Sequence, residues 1–513
     1  MLISYLENVK RNRWVWAYLA AVSSFYLYAA GVLQLAPDEA YYWYWAKHPD
    51  LSYLDHPPMI AYLIAASTML GGESEFFVRL PGCLCYLGSL FFVFLTFSRL
   101  FSAEGRYALE AAAMFNLTVI FPIFAVIITP DTPMLFFWSG AMYFGSRLVT
   151  CADGRWWYLW GLALGLGLLS KYTMILIVPC VWGFLLFSSR HRFWLFRKEP
   201  YAGLAVAFLV FLPVLVWNYR HGWVSFNFQL HQGFTPDSNS VLMKAAEYWG
   251  GQAAVITPLI FLAFAWYSLR ATGVHVREGR PSYLYLLFLA WPVILFFGIT
   301  TVVGDTAEAN WPAPAYLAGL PLMWAVYRAN CMEEKRHTLL VWSGVAFGLL
   351  LNCLISVHVL APFVPVSPGD DPARQLHSWR GLGRTIEEYI ERHPCDRGYF
   401  LVSDRGTTLA ETVYYTGNRY TGIDFLIPER YIFLDDLAGL KGRNAILVVH
   451  GRDRQSLEIY KKYYSKYFER VSEAGRWTHS YRGAEIPELS VALLLGEGYK
   501  GNWNRNQGCR GES

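Results

Sequence analysis

The ionisable groups best placed for chemistry in this 513-residue sequence stand at the ends of long apolar runs. Asp38-Glu39 follows Pro37 where the first run closes, and Asp55-His56 precedes the double proline Pro57-Pro58. Asp131 follows Pro130 and opens a later run, Lys171 interrupts an uncharged stretch from Trp156 to Phe187, and Arg220-His221 ends another. Carboxylates so placed can accept a proton or steady a developing positive charge, and phosphate oxygens call for charged donors such as Lys171, Arg220, His221 and His56. Each also has a plainer use. Asp38, Asp55 and Asp131 sit where a helix would start, and an anion there stabilises bare N–H groups by up to about 1 kcal/mol. Lys171 could simply reach for the outer interface. Against capping alone stands the cost of roughly 2.5 to 3.5 kcal/mol for an acid that sinks into lipid; ionisable groups at the membrane's edge are functional candidates by default. His48, Asp55 and His56, with Asp38 and Glu39, are also a conceivable metal set. Their spacing fits no helical or knuckle pattern, so a divalent metal is a minor expectation and no cofactor is required.

The elements that must hold these groups are membrane helices. Composition is 55% hydrophobic, 17% aromatic and 16% charged with a net charge of +4, which disfavours a soluble enzyme, a disordered chain and a nucleic-acid binder together. A span needs about 20 mostly apolar residues. Candidates run over 14–35, 77–98, 106–127, 130–148, 156–169, 172–188, 201–218, 252–270, 282–303, 311–328 and 338–360, the fifth and sixth being short enough to form one segment broken at Ser170-Lys171-Tyr172. The expected fold is a polytopic α-helical membrane protein of about eleven spans. Lys and Arg crowd one set of loops, including Lys10, Arg11, Arg13, Arg99, Arg106, Arg190 and Arg192, while the other set holds Lys47, Arg79, Lys171, Arg220 and Lys244. That bias puts the N-terminus in the cytoplasm and the acidic loops outside. Glu110, one turn from Arg106, reads as its i,i+4 partner.

The first outer loop, 36–76, contains Ala40-Tyr41-Tyr42-Trp43-Tyr44-Trp45, too polar to span and rich in residues of the headgroup layer, so an amphipathic helix on the membrane surface is expected there. Membrane lipids are accordingly partners and nucleic acid is not. Beyond residue 360, Pro362, Pro365, Pro368 and Pro372 mark a linker, and charge density rises. Helical patterns at 378–392, 406–416 and 453–467 alternate with strand-like runs at 399–402, 445–449 and 491–495, the reading of a small α/β domain, 361–513, outside the membrane that 1–360 spans. Cys395 and Cys509 could pair in that compartment. Asn116-Leu117-Thr118 matches a glycosylation sequon inside a span, where it cannot be modified.

Seven segments recur in a familiar order: Asp38-Glu39-Ala40-Tyr41-Tyr42, Tyr53-Leu54-Asp55-His56-Pro57-Pro58, Arg79-Leu80-Pro81, Thr129-Pro130-Asp131, Gly165 to Tyr172, Trp217-Asn218 with His221-Gly222-Trp223, and Glu308-Ala309-Asn310-Trp311-Pro312. Together they resemble the GT-C membrane glycosyltransferases of the protein O-mannosyltransferase superfamily, in particular the bacterial branch of lipid A aminoarabinose transferases. The resemblance implies a helical bundle with surface helices in the first outer loop and an outside C-terminal domain. It also implies a polyprenyl-phosphate sugar donor used on the periplasmic side of a bacterial inner membrane. Asp38-Glu39 matches the family's Asp-Glu pair, with Asp38 as candidate general base, and Asp131 matches its second-loop Asp. Where the aminoarabinose enzymes carry Glu-Lys before the double proline, this chain has Asp55-His56, a weaker and titratable cation, which leaves the sugar and the acceptor open.

Transfer from a lipid-phosphate sugar needs a base for the acceptor, support for an oxocarbenium-like centre and cations for the departing phosphate. Asp38, Asp131 and the set His56, Lys171, Arg220 and His221 can fill these roles in turn. The expected activity is single displacement with inversion onto a lipid A, lipopolysaccharide core or similar glycolipid acceptor. A protein acceptor is the runner-up, and a broken-helix transporter is the rival from another class.

Overall fold

In the computed structural model, residues 13–102, 107–232, 240–304, 308–425, 430, 438–451 and 453–502 are described. Lys10, Arg11, Arg106 and Cys509 lie outside them; Cys395 is a free thiol. Residue contacts divide the chain into two units: Met1–Ala30, Asp55–Ile60 and Arg79–Ser356 form the first, and Gly31–Leu54, Ala61–Val78 and Val357–Ser513 the second.

All eleven apolar runs fold as helix. In chain order the helices are α1 Arg13–Val32, α2 Pro37–Lys47, α3 Met59–Gly71, α4 Glu75–Leu100, α5 Ala108–Ala113, α6 Ile120–Val126, α7 Asp131–Thr150, α8 Trp156–Leu168, α9 Ile177–Phe187, α10 Lys198–Arg220, α11 Val224–Gln232, α12 Val241–Val255, α13 Pro258–Glu278, α14 Pro281–Gly304, α15 Ala313–Asn330 and α16 Lys335–Leu360. Six of them are long and apolar enough to cross a membrane, or up to seven with the bent pair 108–117 and 120–126. By length and composition the described residues therefore give six or seven spans, with further apolar helices that are shorter. Apolar runs do not announce where the backbone turns. The third run bends by 86° at Asn116-Leu117-Thr118, where side chains satisfy the groups that the broken ladder leaves bare. Thr118 Oγ1 donates to the Phe115 carbonyl (2.8 Å), and Asn352 Nδ2 donates to the Thr118 carbonyl (2.9 Å). Asn116 Oδ1 accepts from Tyr26 (2.9 Å) and Tyr86 (2.8 Å), so the sequon asparagine is a buried acceptor.

A continuous core of Leu, Phe, Trp and Ala side chains fills the first unit. Its α8 and α10 cross at glycines: a Cβ on Gly161 would collide with the Gly203 carbonyl, so only the bare backbone permits this approach. Glu110 pairs with Arg328 of α15 (2.6 Å), whose guanidinium also covers the Tyr107 and Trp324 rings. The helix partner expected for Glu110, Arg106, lies outside the described residues.

The second unit holds helices α17 Trp379–Arg392, α18 Gly406–Tyr415 and α19 Arg454–Tyr464, with strands β1 Tyr399–Ser403, β2 Gly422–Asp424, β3 Asn444–Val449, β4 Phe468–Trp477, β5 Ser480–Tyr481, β6 Ala484–Glu485 and β7 Val491–Tyr499. The main sheet runs β2-β1-β3-β7-β4; β1 is parallel to both neighbours, whereas β7 is antiparallel to β3 and β4. Leu401 lies opposite Ile446, and Leu447 opposite Leu494. Strand β4 is absent from the sequence expectation because it is an edge strand with charged exposed positions and a bulge between Glu473 and Gly475, which dilutes its apolar pattern.

Segments of the first outer loop also belong to this unit. In α2 every residue from Glu39 to Ala46 is buried. The helix thus has no exposed apolar face, and the expected amphipathic helix on lipid is instead a helix enclosed by protein. Trp45 stacks on Tyr53 at 4.3 Å, and the Tyr53 hydroxyl donates to the Trp45 and His48 carbonyls.

Candidate active site

In the first unit, the fold gathers charge around the turn between α8 and the 3-10 turn Tyr172–Leu176. Gly165 and Gly167 carbonyls end α8, and Lys171 leaves it in extended conformation at φ −155°. Its ammonium reaches the N-terminus of α7, where Asp131 is the first residue. Lys171 Nζ donates to both carboxylate oxygens of Asp131, at 2.9 and 2.8 Å. Both residues are buried, Lys171 at 8% and Asp131 at 4% exposure. Asn310 Nδ2 approaches Asp131 Oδ2 at 3.5 Å, and the Trp311 ring lies 5.9 Å from Nζ. A buried ion pair is weak evidence for stability, because desolvation offsets most of its attraction. A charge pair held at that cost in a membrane protein points to function.

The Asp55-His56 segment is docked onto the same turn. Met59 N–H donates to the Leu169 carbonyl at 2.9 Å, and Gln229 Nε2 of α11 donates to the Asp55 carbonyl at 2.7 Å. His56 is partly buried. Desolvation, followed by the positive charge of Lys171, pushes its pKa down to about 3. It is therefore a neutral imidazole at ordinary pH, in place of the titratable cation expected from sequence.

Beside this cluster lies an apolar groove of about 550 Å³ lined by Leu164, Leu168, Tyr172, Leu204, Phe208 and Gln229, among others. Tyr172 is the neighbour of Lys171, and its hydroxyl pairs with Ser225 Oγ at 2.9 Å. The groove, walled by hydrocarbon, thus includes the residue next to Lys171 and, in Gln229, the side chain that bonds the Asp55 carbonyl.

Arg220, the last residue of α10, is exposed. His221 Nδ1 donates to the Trp217 carbonyl at 2.8 Å, with its ring 4.2 Å from that of Trp217, so it ends the helix. In the second unit, Asp38 is exposed in the first turn of α2. Glu39 is fully buried, and its Oε2 accepts the Ala36 N–H at 2.9 Å, a helix-start bond. His48 ends α2, and burial and the charge of Lys47 lower its pKa.

Of the conceivable metal set, Asp38, Glu39 and His48 belong to the second unit and Asp55 and His56 to the first. Among the described residues, three ligand atoms converge at Cys331, Glu334 and His337 instead. There the Arg270 guanidinium stands 3.1 Å from His337 Nε2 and 3.7 Å from Cys331 Sγ, a cation already in place.

Gln229 joins the site without any sequence signal, and Asn310 and Trp311 belong to the motif Glu308 to Pro312. The Asn-Trp-Pro run was a usable signal for the latter two. Nothing around Gln229 marks it, because its role depends on where α11 lies.

Residues 55–217 match the family model described as dolichyl-phosphate-mannose-protein mannosyltransferase. The lipid A galacturonosyltransferase RgtD of Rhizobium johnstonii is 29% identical over 339 residues, covering 64% of this chain and 66% of its own. The undecaprenyl phosphate-alpha-4-amino-4-deoxy-L-arabinose arabinosyl transferase of Serratia proteamaculans is 24% identical over 333 residues, 60% of this chain and 56% of its own. The matched regions thus span under two thirds of these relatives. The crystal structure of ArnT from Cupriavidus metallidurans in the apo state superposes with a TM-score of 0.66 at 13% identity, over 95% of this chain and 98% of that one. The chain has the GT-C fold. The same transferase bound to undecaprenyl phosphate gives the same TM-score of 0.66 over 94% and 98% of the two chains. The resemblance read from the seven segments holds, and a multi-pass membrane protein is what the GT-C fold and the apolar helices require.

Proposed function

We propose that this chain is an inverting glycosyltransferase that moves a sugar from a polyprenyl-phosphate carrier to an envelope glycolipid, lipid A or lipopolysaccharide core, on the periplasmic face of a bacterial inner membrane. The observation that carries the reading is the buried Lys171–Asp131 pair together with an apolar groove lined by Tyr172, the residue next to that lysine. A polyprenyl phosphate has that division of chemistry, a hydrocarbon tail ending in an anion. Relatives named for lipid A and undecaprenyl-phosphate substrates support the donor and acceptor classes. Residues 1–360 form the membrane domain, and 361–513 the domain outside.

Lys171 has three N–H donors, two of which go to Asp131; the third is available to a phosphate oxygen. The neutral His56 adds a hydrogen bond to the anion. Arg220 and His221 assist at the interface. Asp38 removes the proton from the acceptor hydroxyl as its oxygen attacks the anomeric carbon from the face opposite the phosphate. The carbon–oxygen bond to phosphate breaks, the polyprenyl phosphate leaves with the bonding pair, and Asp131 supports the cationic centre between the two events. Glu39 holds the start of the helix that carries Asp38.

The test is transfer in proteoliposomes from a radiolabelled polyprenyl-phosphate sugar to lipid A. Sugar should appear on the acceptor with no solute uptake. Uptake without transfer would replace this reading with the transporter. The family description over 55–217 names a protein acceptor. Mass spectrometry of lipid A and envelope proteins from a deletion strain decides between the two acceptors.

A further inference from the structure

The second unit contains both the helix of Asp38 and the whole C-terminal α/β domain, and their contacts are unusually specific. Helix α2 lies against α18 and β2. The Tyr44 hydroxyl bridges one residue of β2 in both directions: it donates to the Gly422 carbonyl at 3.2 Å and accepts the Gly422 N–H at 3.1 Å. Tyr44 is 1% exposed, and Gly422 is buried too. One turn before α2, the Leu35 N–H donates to the Tyr415 hydroxyl at 2.8 Å, and Tyr415 in turn reaches Glu75 Oε1 at 3.4 Å. Trp43 meets Tyr414 edge to face with ring centres 4.8 Å apart, and the Tyr414 hydroxyl donates to the Glu73 carbonyl at 3.2 Å. Arg380 completes the set, with its N–H on Gln34 Oε1 at 3.1 Å and its guanidinium on Glu75 at 2.5 Å.

These bonds fall on both sides of Asp38 in sequence. Residues 34 and 35 are held before it and residues 43 and 44 after it, each by the C-terminal domain. A helix of eleven residues has little stability of its own. Its place and its orientation come from what it touches. The exposed Asp38 thus projects from a helix whose following residues, Glu39 to Ala46, are all immobilised by burial.

We propose that the C-terminal α/β domain is a positioning element of the transferase, with Tyr44 and Tyr415 as positioning residues that fix the helix carrying the Asp38 base. The inference rests on the transferase reading above. It gives the domain a role in the reaction without requiring any ligand of its own. Small displacements of a reacting group cost rate far more than affinity, on the order of a hundredfold for about 1 Å. A loosened α2 should therefore lower kcat and leave donor binding alone.

The experiment uses the full chain in nanodiscs and the double variant Tyr44→Phe with Tyr415→Phe, which removes two hydroxyls and keeps the rings. Two measurements are made: transfer kinetics from a polyprenyl-phosphate sugar, and hydrogen exchange at the amides of residues 40–47. The expected result is faster exchange there, kcat down about ten- to hundredfold, and a donor KM within about twofold of wild type. Lys461→Ala, on an exposed ion pair of the same domain, should retain wild-type kinetics. An active wild type with an equally active double variant overturns the inference, as does a loss that appears in KM alone or unchanged exchange. Trp43→Phe provides a second variant should the double one insert poorly, and the same criteria apply. Failure of the transferase reading itself looks different, because the wild type would then transfer no sugar.

Discussion

Buried carboxylates have opposite surroundings in the two units. In the second, Asp404 accepts from His450 Nδ1 (2.7 Å), the His450 N–H (3.0 Å) and Tyr460 (2.6 Å). Burial pushes its pKa up, but these bonds outweigh it and hold the carboxyl below its usual range. Asp371 is similar: it accepts from His358 Nε2 (2.8 Å), Tyr481 (2.8 Å) and the Ala373 N–H (3.0 Å), while His358 Nδ1 takes the Phe363 and Val364 N–H groups. Backbone donors lock both acids into the fold. Asp131 of the first unit differs in its principal partner, the buried ammonium of Lys171, which bonds both of its carboxylate oxygens. An acid tied by backbone is part of the scaffold, whereas an acid tied by one long cation holds that cation in place while leaving it a further N–H donor for an anion.

The largest effect should come from the proposed base. Asp38→Asn should lower turnover by about 10² to 10⁴-fold with insertion and donor binding intact; near-normal transfer would move the base elsewhere. Next is the contrast itself. Lys171→Met leaves Asp131 buried without its cation and should cost about 3–5 kcal/mol together with donor binding. Adding Asp131→Leu should restore the melting temperature and leave transfer absent. Asp404→Asn should cost about 1–3 kcal/mol yet leave the donor affinity of the folded fraction unchanged. If Asp404→Asn abolished donor binding, or Lys171→Met left it intact, the division of roles would be wrong.

A pH effect is smaller. The pKa of His56 falls from 6.5 unfolded to about 3 folded, so the unfolded chain binds the proton first. Its contribution to stability is complete above about pH 6.5 and is lost as pH falls towards 3. Between pH 7 and 5 that loss is on the order of 1–2 kcal/mol, and thermal unfolding of His56→Gln should show a correspondingly weaker acid sensitivity. Smallest is the groove. Ala207→Phe, which narrows it beneath Phe208 and Leu204, should raise KM for a long polyprenyl donor about tenfold, roughly 1.4 kcal/mol, and leave a short-chain donor unaffected. Equal effects on both donors would place the tail elsewhere.

The sequence alone determined that the chain is helical and membrane-borne, because lipid demands internally bonded backbone over long apolar runs, and length and hydropathy are local properties. It also determined the α/β character of the C-terminal segment, since β1, β3 and β7 are interior strands with uninterrupted apolar runs. Asp131 and Lys171 stood out because each breaks an apolar pattern. Only the tertiary structure decided that those two residues, 40 positions apart, form one ion pair, that His56 is kept neutral by its burial and, after that, by the lysine's charge, and that Gln229 and Asn310 belong beside them. It alone turned the Tyr/Trp-rich stretch 40–45 from a surface helix into an enclosed one, because a pattern of aromatic residues suits lipid headgroups and a protein interior alike. The choice is made by the hydroxyl partners at Gly422 and Leu35, which no local spacing could reveal.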